Sequence, residues 1–206
     1  MRKRLFDFLF AAAFLVVFSP IMLVSAVLVL YHMGWPVFFT QPRPGMHGKV
    51  FRIIKFRTMR NATDSRGQPL SDAQRMTPFG AFLRRTSMDE FPSFINVFKG
   101  DMSVVGPRPL LVKYMPLYSL RQARRHEVRP GMTGWAQING RNALSWEERF
   151  EMDVWYVENQ SFKLDMQIIR GTSEKVFGQD KVSAAGRVTM PEFTGAPMGQ
   201  GAPLHA

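Results

Sequence analysis

The sequence predicts an α+β fold that is mostly helical, with a membrane-inserted helix at its N-terminus, amphipathic helices behind it and one small β-hairpin. Three observations carry this. Residues 8–42 contain no Lys, Arg, Asp or Glu, and 5–30 are almost wholly apolar, long enough to meet a bilayer. Two stretches rich in Val, Ile and Phe, 36–41 and 49–59, flank the turn-forming cluster Arg43-Pro44-Gly45-Met46-His47-Gly48. Much of the remaining chain carries apolar residues at helical spacing behind helix-start signals.

The apolar run is too long for a secretory signal and lacks a small-residue cleavage site. Ser19-Pro20 sits near its middle, where proline removes a backbone donor and the Ser19 hydroxyl is available to a freed carbonyl. Cations flank both ends: Arg2, Lys3 and Arg4 before it, Arg43, Lys49, Arg52, Lys55 and Arg57 after it. Both flanks therefore favour the cytoplasmic side, which a re-entrant helical hairpin satisfies, while a kinked spanning helix is an equal alternative on these residues alone. Asp7 fits better near headgroups than in hydrocarbon.

After the hairpin, residues 61–74 are polar and contain Gly67 and Pro69, which predicts an exposed loop. Short helices are expected at 79–85 and at 91–98, the second ended by Lys99-Gly100. Residues 110–126 read as a basic amphipathic helix whose Tyr114, Leu117 and Tyr118, with Arg121, Arg124 and Arg125, suit a headgroup surface or a solvated face. Three glycines and a proline make 129–141 a backbone-defined loop. Ser145-Trp146-Glu147-Glu148 is a capping box opening a helix through residue 158, and 161–177 form another. Past Pro191 the chain is rich in Gly, Pro and Ala and is expected to be a flexible tail.

With 206 residues, 46% of them hydrophobic, the chain builds one domain plus a membrane element. Its net charge of +11 lies mostly in the body, since residues 1–7 hold only Arg2, Lys3, Arg4 and Asp7, and this implies an anionic partner. The absence of cysteine excludes disulfides and thiolate metal sites, and the four histidines are too scattered for a zinc signature. Nucleic acid is disfavoured because the aromatics concentrate in apolar runs instead of interleaving with the cations.

The richest stretch chemically is Ser87-Met88-Asp89-Glu90-Phe91-Pro92, preceded by Arg84-Arg85 and followed by Gly106-Pro107-Arg108-Pro109. Taken alone, Ser87 and Glu90 fit a capping box, the commoner reading of such a pattern. The neighbouring arginines change the balance: they suit phosphate, and they favour an ionised Asp89 able to act as nucleophile or Mg²⁺ ligand. Adjacent helical side chains point about 100° apart, so Asp89 and Glu90 would divide the labour. Prolines on both sides fix where Arg108 points and admit a cis bond. Lys55, in Lys55-Phe56-Arg57-Thr58-Met59, is a candidate phosphate contact whose commoner role is a strand-end charge.

These motifs, with Ser19-Pro20, Arg129-Pro130-Gly131-Met132-Thr133-Gly134 and Asn139-Gly140-Arg141-Asn142, occur in the order found in bacterial sugar transferases, the monotopic phosphoglycosyl transferases, which the chain resembles from residue 1 to about 193. The short length and the segment Val182-Ser183-Ala184-Ala185-Gly186 look most like the small initiating enzymes of bacterial protein N-glycosylation, whose donor is UDP-N,N'-diacetylbacillosamine. The resemblance implies a re-entrant anchor over 1–35 broken at Ser19 and Pro20, a catalytic domain over 36–190 and a tail over 191–206. It implies transfer of a sugar 1-phosphate from a UDP-sugar to polyprenol phosphate with Mg²⁺, at the cytoplasmic face of the inner membrane. Asp89 would be nucleophile and metal ligand, and Glu90 its assistant. Lys55, Arg84, Pro107 and Arg108 would bind substrate, with Arg141 a weaker carry-over, and membrane lipid and later enzymes of the same glycan pathway would be partners. The competing expectation is a non-catalytic, membrane-anchored binder of acidic lipid or nucleic acid.

Overall fold

The computed structural model describes residues 2–140, 144–177 and 192–195. The chain is α+β and mostly helical, with a long apolar N-terminal helix and two small two-stranded sheets. Helix α1 runs over Arg2–Met33 without leaving the helical conformation, so the interruption expected at Ser19-Pro20 is not a break in secondary structure. The reason is local. Pro20 cannot donate to the Val16 carbonyl one turn back, and the Ser19 hydroxyl donates to that same carbonyl at 2.8 Å.

Both ends of α1 pack on the same globular body. At its start Arg4 donates to the carbonyls of Val97 and Phe98 at 2.6 and 2.7 Å. The buried Asp7 carboxylate accepts from the Ser103 hydroxyl at 2.9 Å and the Val104 amide at 3.0 Å. Lys3 pairs at 2.6 Å with Asp165, which also accepts from the Tyr156 hydroxyl at 2.7 Å. In the middle, Phe14 stacks on Phe94 at 3.8 Å and Phe18 meets Phe91 edge-on at 5.4 Å. Towards the end, Met22, Ala26, Val29 and Met33 join Phe56 and Leu83 in an apolar cluster. Arg57 closes the helix by donating to the orphan carbonyls of Met33, Gly34 and Trp35. The opposite face, with Val16, Val17, Leu23, Val24 and Val27, stays exposed.

The hairpin is present, with β1 over Phe38–Pro44 antiparallel to β2 over Val50–Phe56. Arg43 and Pro44, expected in the turn, belong to β1, and the turn itself is a single 3₁₀ turn at Met46–Gly48. Helix α2 (Asp72–Arg75) ends the exposed loop, and α3 (Pro78–Arg85) follows with Thr77 as its N-cap. Gly80 of α3 lies so close to β2's exit that an added Cβ would sit 1.9 Å from the Thr58 carbonyl oxygen. Helix α4 (Phe94–Lys99) ends at Gly100, whose φ of 97° is the left-handed conformation a helix stop of this kind requires.

Two expectations are corrected in the second half. Residues 110–126 do not form one helix. Pro116 cannot continue a hydrogen-bond ladder and Ser119 caps a new start, so the segment divides into 3₁₀ turns flanking α5 (Leu120–Ala123). Tyr114, Tyr118 and Arg125 are buried there, not turned to headgroups. Nor is 129–141 a loop throughout. It contains β4 (Gly131–Thr133), which pairs in parallel with β3 (Ser103–Val105), and then α6 (Trp135–Asn139). Helix α7 (Trp146–Asn159) starts at the expected Ser145 capping box, and α8 (Phe162–Phe177) closes the described body. Of the expected tail, 192–195 are described, and Phe193 is buried among Tyr114, Tyr118, Trp146 and Phe150. Residues 182–186 lie outside the described residues.

The buried pair Arg125–Asp153, at 2.7 Å, ties α7 to the chain before β4. Asp153→Ala should lower the melting temperature by roughly 10 °C, because an uncompensated buried guanidinium costs about 3–5 kcal/mol. Differential scanning fluorimetry in detergent checks this.

Candidate active site

The hairpin supplies one wall. Its register pairs Gln41 with Ile53 and Phe39 with Lys55, so alternation puts Gln41, Arg43, Ile53 and Lys55 on one face. The opposite wall is held to β2 by side chains that imitate a neighbouring strand. The Asn96 amide donates to the Arg52 carbonyl at 2.9 Å while its oxygen accepts from the Ile54 amide at 3.1 Å, and the Ser93 hydroxyl donates to the Ile54 carbonyl at 2.7 Å. These bonds set the 3₁₀ turn Met88–Ser93, with Asp89 and Glu90 at its start, beside Lys55.

Ser87 does not cap this turn. It sits in the left-handed region at φ 57°, reversing the chain out of α3, and its side chain makes no cap hydrogen bond. Glu90 is likewise taken from the expected box: its Oε1 accepts from Lys55 Nζ and from Arg108, each at 2.6 Å. Two ion pairs from different segments outweigh one local amide bond.

Arg108 is delivered by the loop after β3. The Gly106 amide donates to the Thr133 carbonyl at 2.8 Å and the Gly131 amide to the Pro107 carbonyl at 3.0 Å, extending the β3–β4 pairing. A Cβ on Gly106 would lie 2.3 Å from the Arg129 carbonyl oxygen, so only glycine allows this approach. Buried Arg125 donates to the Arg108 carbonyl at 2.7 Å. Pro107 acts through its backbone carbonyl here. The peptide bonds of this loop are trans, and the cis X-Pro bond among the described residues is Trp35–Pro36. Arg84, at the end of α3, donates from Nε to the buried Thr58 hydroxyl at 3.0 Å.

The two carboxylates live under different fields. Burial pushes Glu90 up, but Arg108 and Lys55 overcome it and hold the group at about 2. For Asp89 the balance runs the other way: burial first, then the Glu90 charge, lift it above the ordinary carboxylate value against the pull of Lys55, Arg84 and Arg108. The expectation that the cations dominate at Asp89 is thus corrected, since Glu90 already absorbs two of them. Among the described residues the Asp89 carboxylate makes no hydrogen bond or ion pair. A partly buried, unengaged carboxylate with raised basicity is equipped to attack an electrophile.

Lys55, Arg84, Asp89, Glu90 and Arg108 are therefore brought together. Ser19 and Pro20 stay in α1, directly after Phe18, whose ring meets that of Phe91 beside the dyad. Arg141 lies outside the described residues. Sequence reasoning missed Arg43, which lines the cleft with Lys55, Glu90 and Arg108, and Thr58 and Arg125, which hold Arg84 and Arg108. Four cations against two carboxylates leave the cleft positive and suited to an anion.

Residues 1–179 match the family model of bacterial sugar transferases. The chain is 53% identical over 194 residues to the uncharacterized sugar transferase EpsL of Bacillus subtilis, covering 94% of this chain and 96% of that one. It is 38% identical to the exopolysaccharide production protein ExoY of Rhizobium meliloti, covering 82% of each. With the UDP-glucose:undecaprenyl-phosphate glucose-1-phosphate transferase of Escherichia coli it shares 40% identity over 85% of its own length but only 40% of the longer protein. The ordered motifs, the assembled acid and arginine cleft and these likenesses agree, and the chain belongs to the bacterial sugar transferase family.

Proposed function

We propose that the protein transfers a sugar 1-phosphate from a UDP-sugar to polyprenol phosphate, releasing UMP, through a covalent intermediate on Asp89. The observation that carries this is the unengaged Asp89 carboxylate beside a Glu90 already satisfied by Lys55 and Arg108. An Asp89 oxygen bonds to the phosphorus next to the sugar as the bond to the bridging oxygen breaks and UMP departs with that oxygen. A phosphate oxygen of the polyprenol phosphate then attacks the same phosphorus and the Asp89 carboxylate leaves, regenerated. Glu90, held at about 2, is a weak base, and the phosphate acceptor is already anionic near neutral pH. Glu90 accordingly orients Lys55 and Arg108 on the donor's phosphates.

Magnesium is part of the proposal. Among the described residues no three His, Asp or Glu side chains converge, which fits a cation held by one protein carboxylate, Asp89, and by substrate phosphates. Asp89 would hold it there, and the ion would neutralise diphosphate charge. For the donor, the activity for which the Escherichia coli and Xanthomonas campestris relatives are named supports UDP-glucose, and UDP-N,N'-diacetylbacillosamine is what the resemblance at residues 182–186 implies. UMP release across a panel of both separates them. The polyprenol diphosphate-sugar would feed later enzymes of glycoconjugate assembly.

We also propose a re-entrant α1, with the site on the cytoplasmic face of the inner membrane. Its 32 residues would measure about 48 Å if straight, against a hydrocarbon core of about 30 Å. Arg4 and Asp7 near one end and the Arg57-capped Met33 at the other both pack on one body, which a crossing would divide between two sides.

Asp89→Asn should cut UMP release by at least about 10³-fold and abolish a trapped phosphosugar adduct, read by intact-protein mass spectrometry. In the metal-free protein Asp89 should titrate above the ordinary carboxylate range, read by NMR, and bound Mg²⁺ should lower it. Glu90→Gln should retain some activity and move the metal-free Asp89 titration to lower pH, because it removes the like charge and frees two cations for Asp89. In this cysteine-free chain, single cysteines at residues 2 and 60 should label from the same membrane side, and labelling from opposite sides would overturn the re-entrant assignment.

A further inference from the structure

Resting on the function proposed above, we propose that Arg43 and Arg108 together form the subsite for the nucleotide-side phosphate of the donor, so that Arg43 steadies the charge on departing UMP.

The two arginines are presented in the same way from opposite walls. Arg43 lies in Pro42-Arg43-Pro44 of β1 and Arg108 in Pro107-Arg108-Pro109, and the paired prolines restrict the backbone on each side of each guanidinium. Both side chains line one cleft with Lys55 and Glu90. The Glu90 oxygen is spent on Lys55 and Arg108. Arg43 reaches only a neutral acceptor, the Gln41 side-chain oxygen at 2.7 Å, and no carboxylate among the described residues. Burial, and then the facing Arg108 charge, push its pKa below the usual guanidinium value. A half-buried, carboxylate-free guanidinium facing another is relieved by an anion between them.

Position along the cleft selects the phosphate. Arg108 pairs with Glu90, the neighbour of Asp89, at 2.6 Å, whereas Arg43 lines the same cleft without reaching that carboxylate, and Asp89 itself is not in the cleft lining. The order is therefore Asp89, Arg108, Arg43. On the hairpin face Arg43 lies four strand positions from the partner of Lys55, about 13 Å along the strand. The phosphorus attacked by Asp89 occupies the first place, and the phosphate one bridging oxygen further on, which leaves as UMP, meets Arg108 and Arg43.

The test measures UMP binding by isothermal titration calorimetry on the full-length protein in detergent or nanodiscs, and separately the discharge of preformed phosphosugar adduct by polyprenol phosphate. Arg43→Ala should weaken UMP roughly tenfold or more, as loss of a charge-assisted contact implies, and leave adduct discharge within about twofold of wild type on the same scale. Arg43→Lys, which keeps the charge but not the fork, should fall between and carries the test if Arg43→Ala does not melt like wild type. Arg170→Ala, an exposed cation paired with Glu174 on α8, should leave both readouts unchanged. The subsite is overturned if Arg43→Ala binds UMP like wild type, or if the loss falls on adduct discharge, which would assign Arg43 to the acceptor phosphate. A wild-type protein that binds no UMP and forms no adduct sinks the proposed function and the subsite together; one that does both while Arg43→Ala is indistinguishable sinks the subsite alone.

Discussion

One carboxylate oxygen joins three segments that are distant in sequence. Glu90 Oε1 accepts from Lys55 on the hairpin and from Arg108 on the loop after β3, so the hairpin, the 3₁₀ turn and the small parallel sheet meet at a single point. Remove it, and two cations are left facing each other without their shared partner. Its presence also decides the state of the adjacent acid. Because Glu90 occupies the cations at close range, Asp89 receives their field only from further away and carries its neighbour's negative charge as well. Two residues adjacent in sequence thus acquire opposite shifts, one locked and ionised, the other open and more basic.

The membrane element is not an appendage to this arrangement. Phe10 and Phe14 of α1 pack into the main apolar cluster with Phe94, Val97 and Met102, and Val29 belongs to the second cluster under β2 and α3. Asn96 holds α4 to β2, and α4 in turn rests on α1. A displacement of the helix would therefore reach the dyad through Phe18 and Phe91. The same helix leaves a face of aliphatic side chains uncovered, as expected where lipid tails are the solvent.

Features governed by neighbours in sequence were legible from it: the hairpin, the Ser145 capping box, the Ser19 hydroxyl serving the carbonyl freed by Pro20, and the Lys55, Asp89 and Arg108 motifs. Features governed by distant partners were not. The strands β3 and β4 are three residues each and read as strands only because each completes the other. Ser87 and Glu90 fit a capping box locally, and ion pairs to Lys55 and Arg108 overrode it. Arg125 resembled a headgroup cation because nothing in 110–126 announces Asp153, and Arg43 read as part of a turn because only the register shows that it shares a face with Lys55.

The docking of the N-terminus has a temporal side. Lys3 pairs with Asp165, 162 positions later, and Asp7 is satisfied by Ser103 and Val104, about 96 positions later. Helix α1 leaves the ribosome before these partners do, and closing such long loops is slow. During that interval Ser103 and Val104 are not yet there to satisfy Asp7, and a bilayer with its headgroups would serve as a holding environment for α1 until the body arrives to claim it.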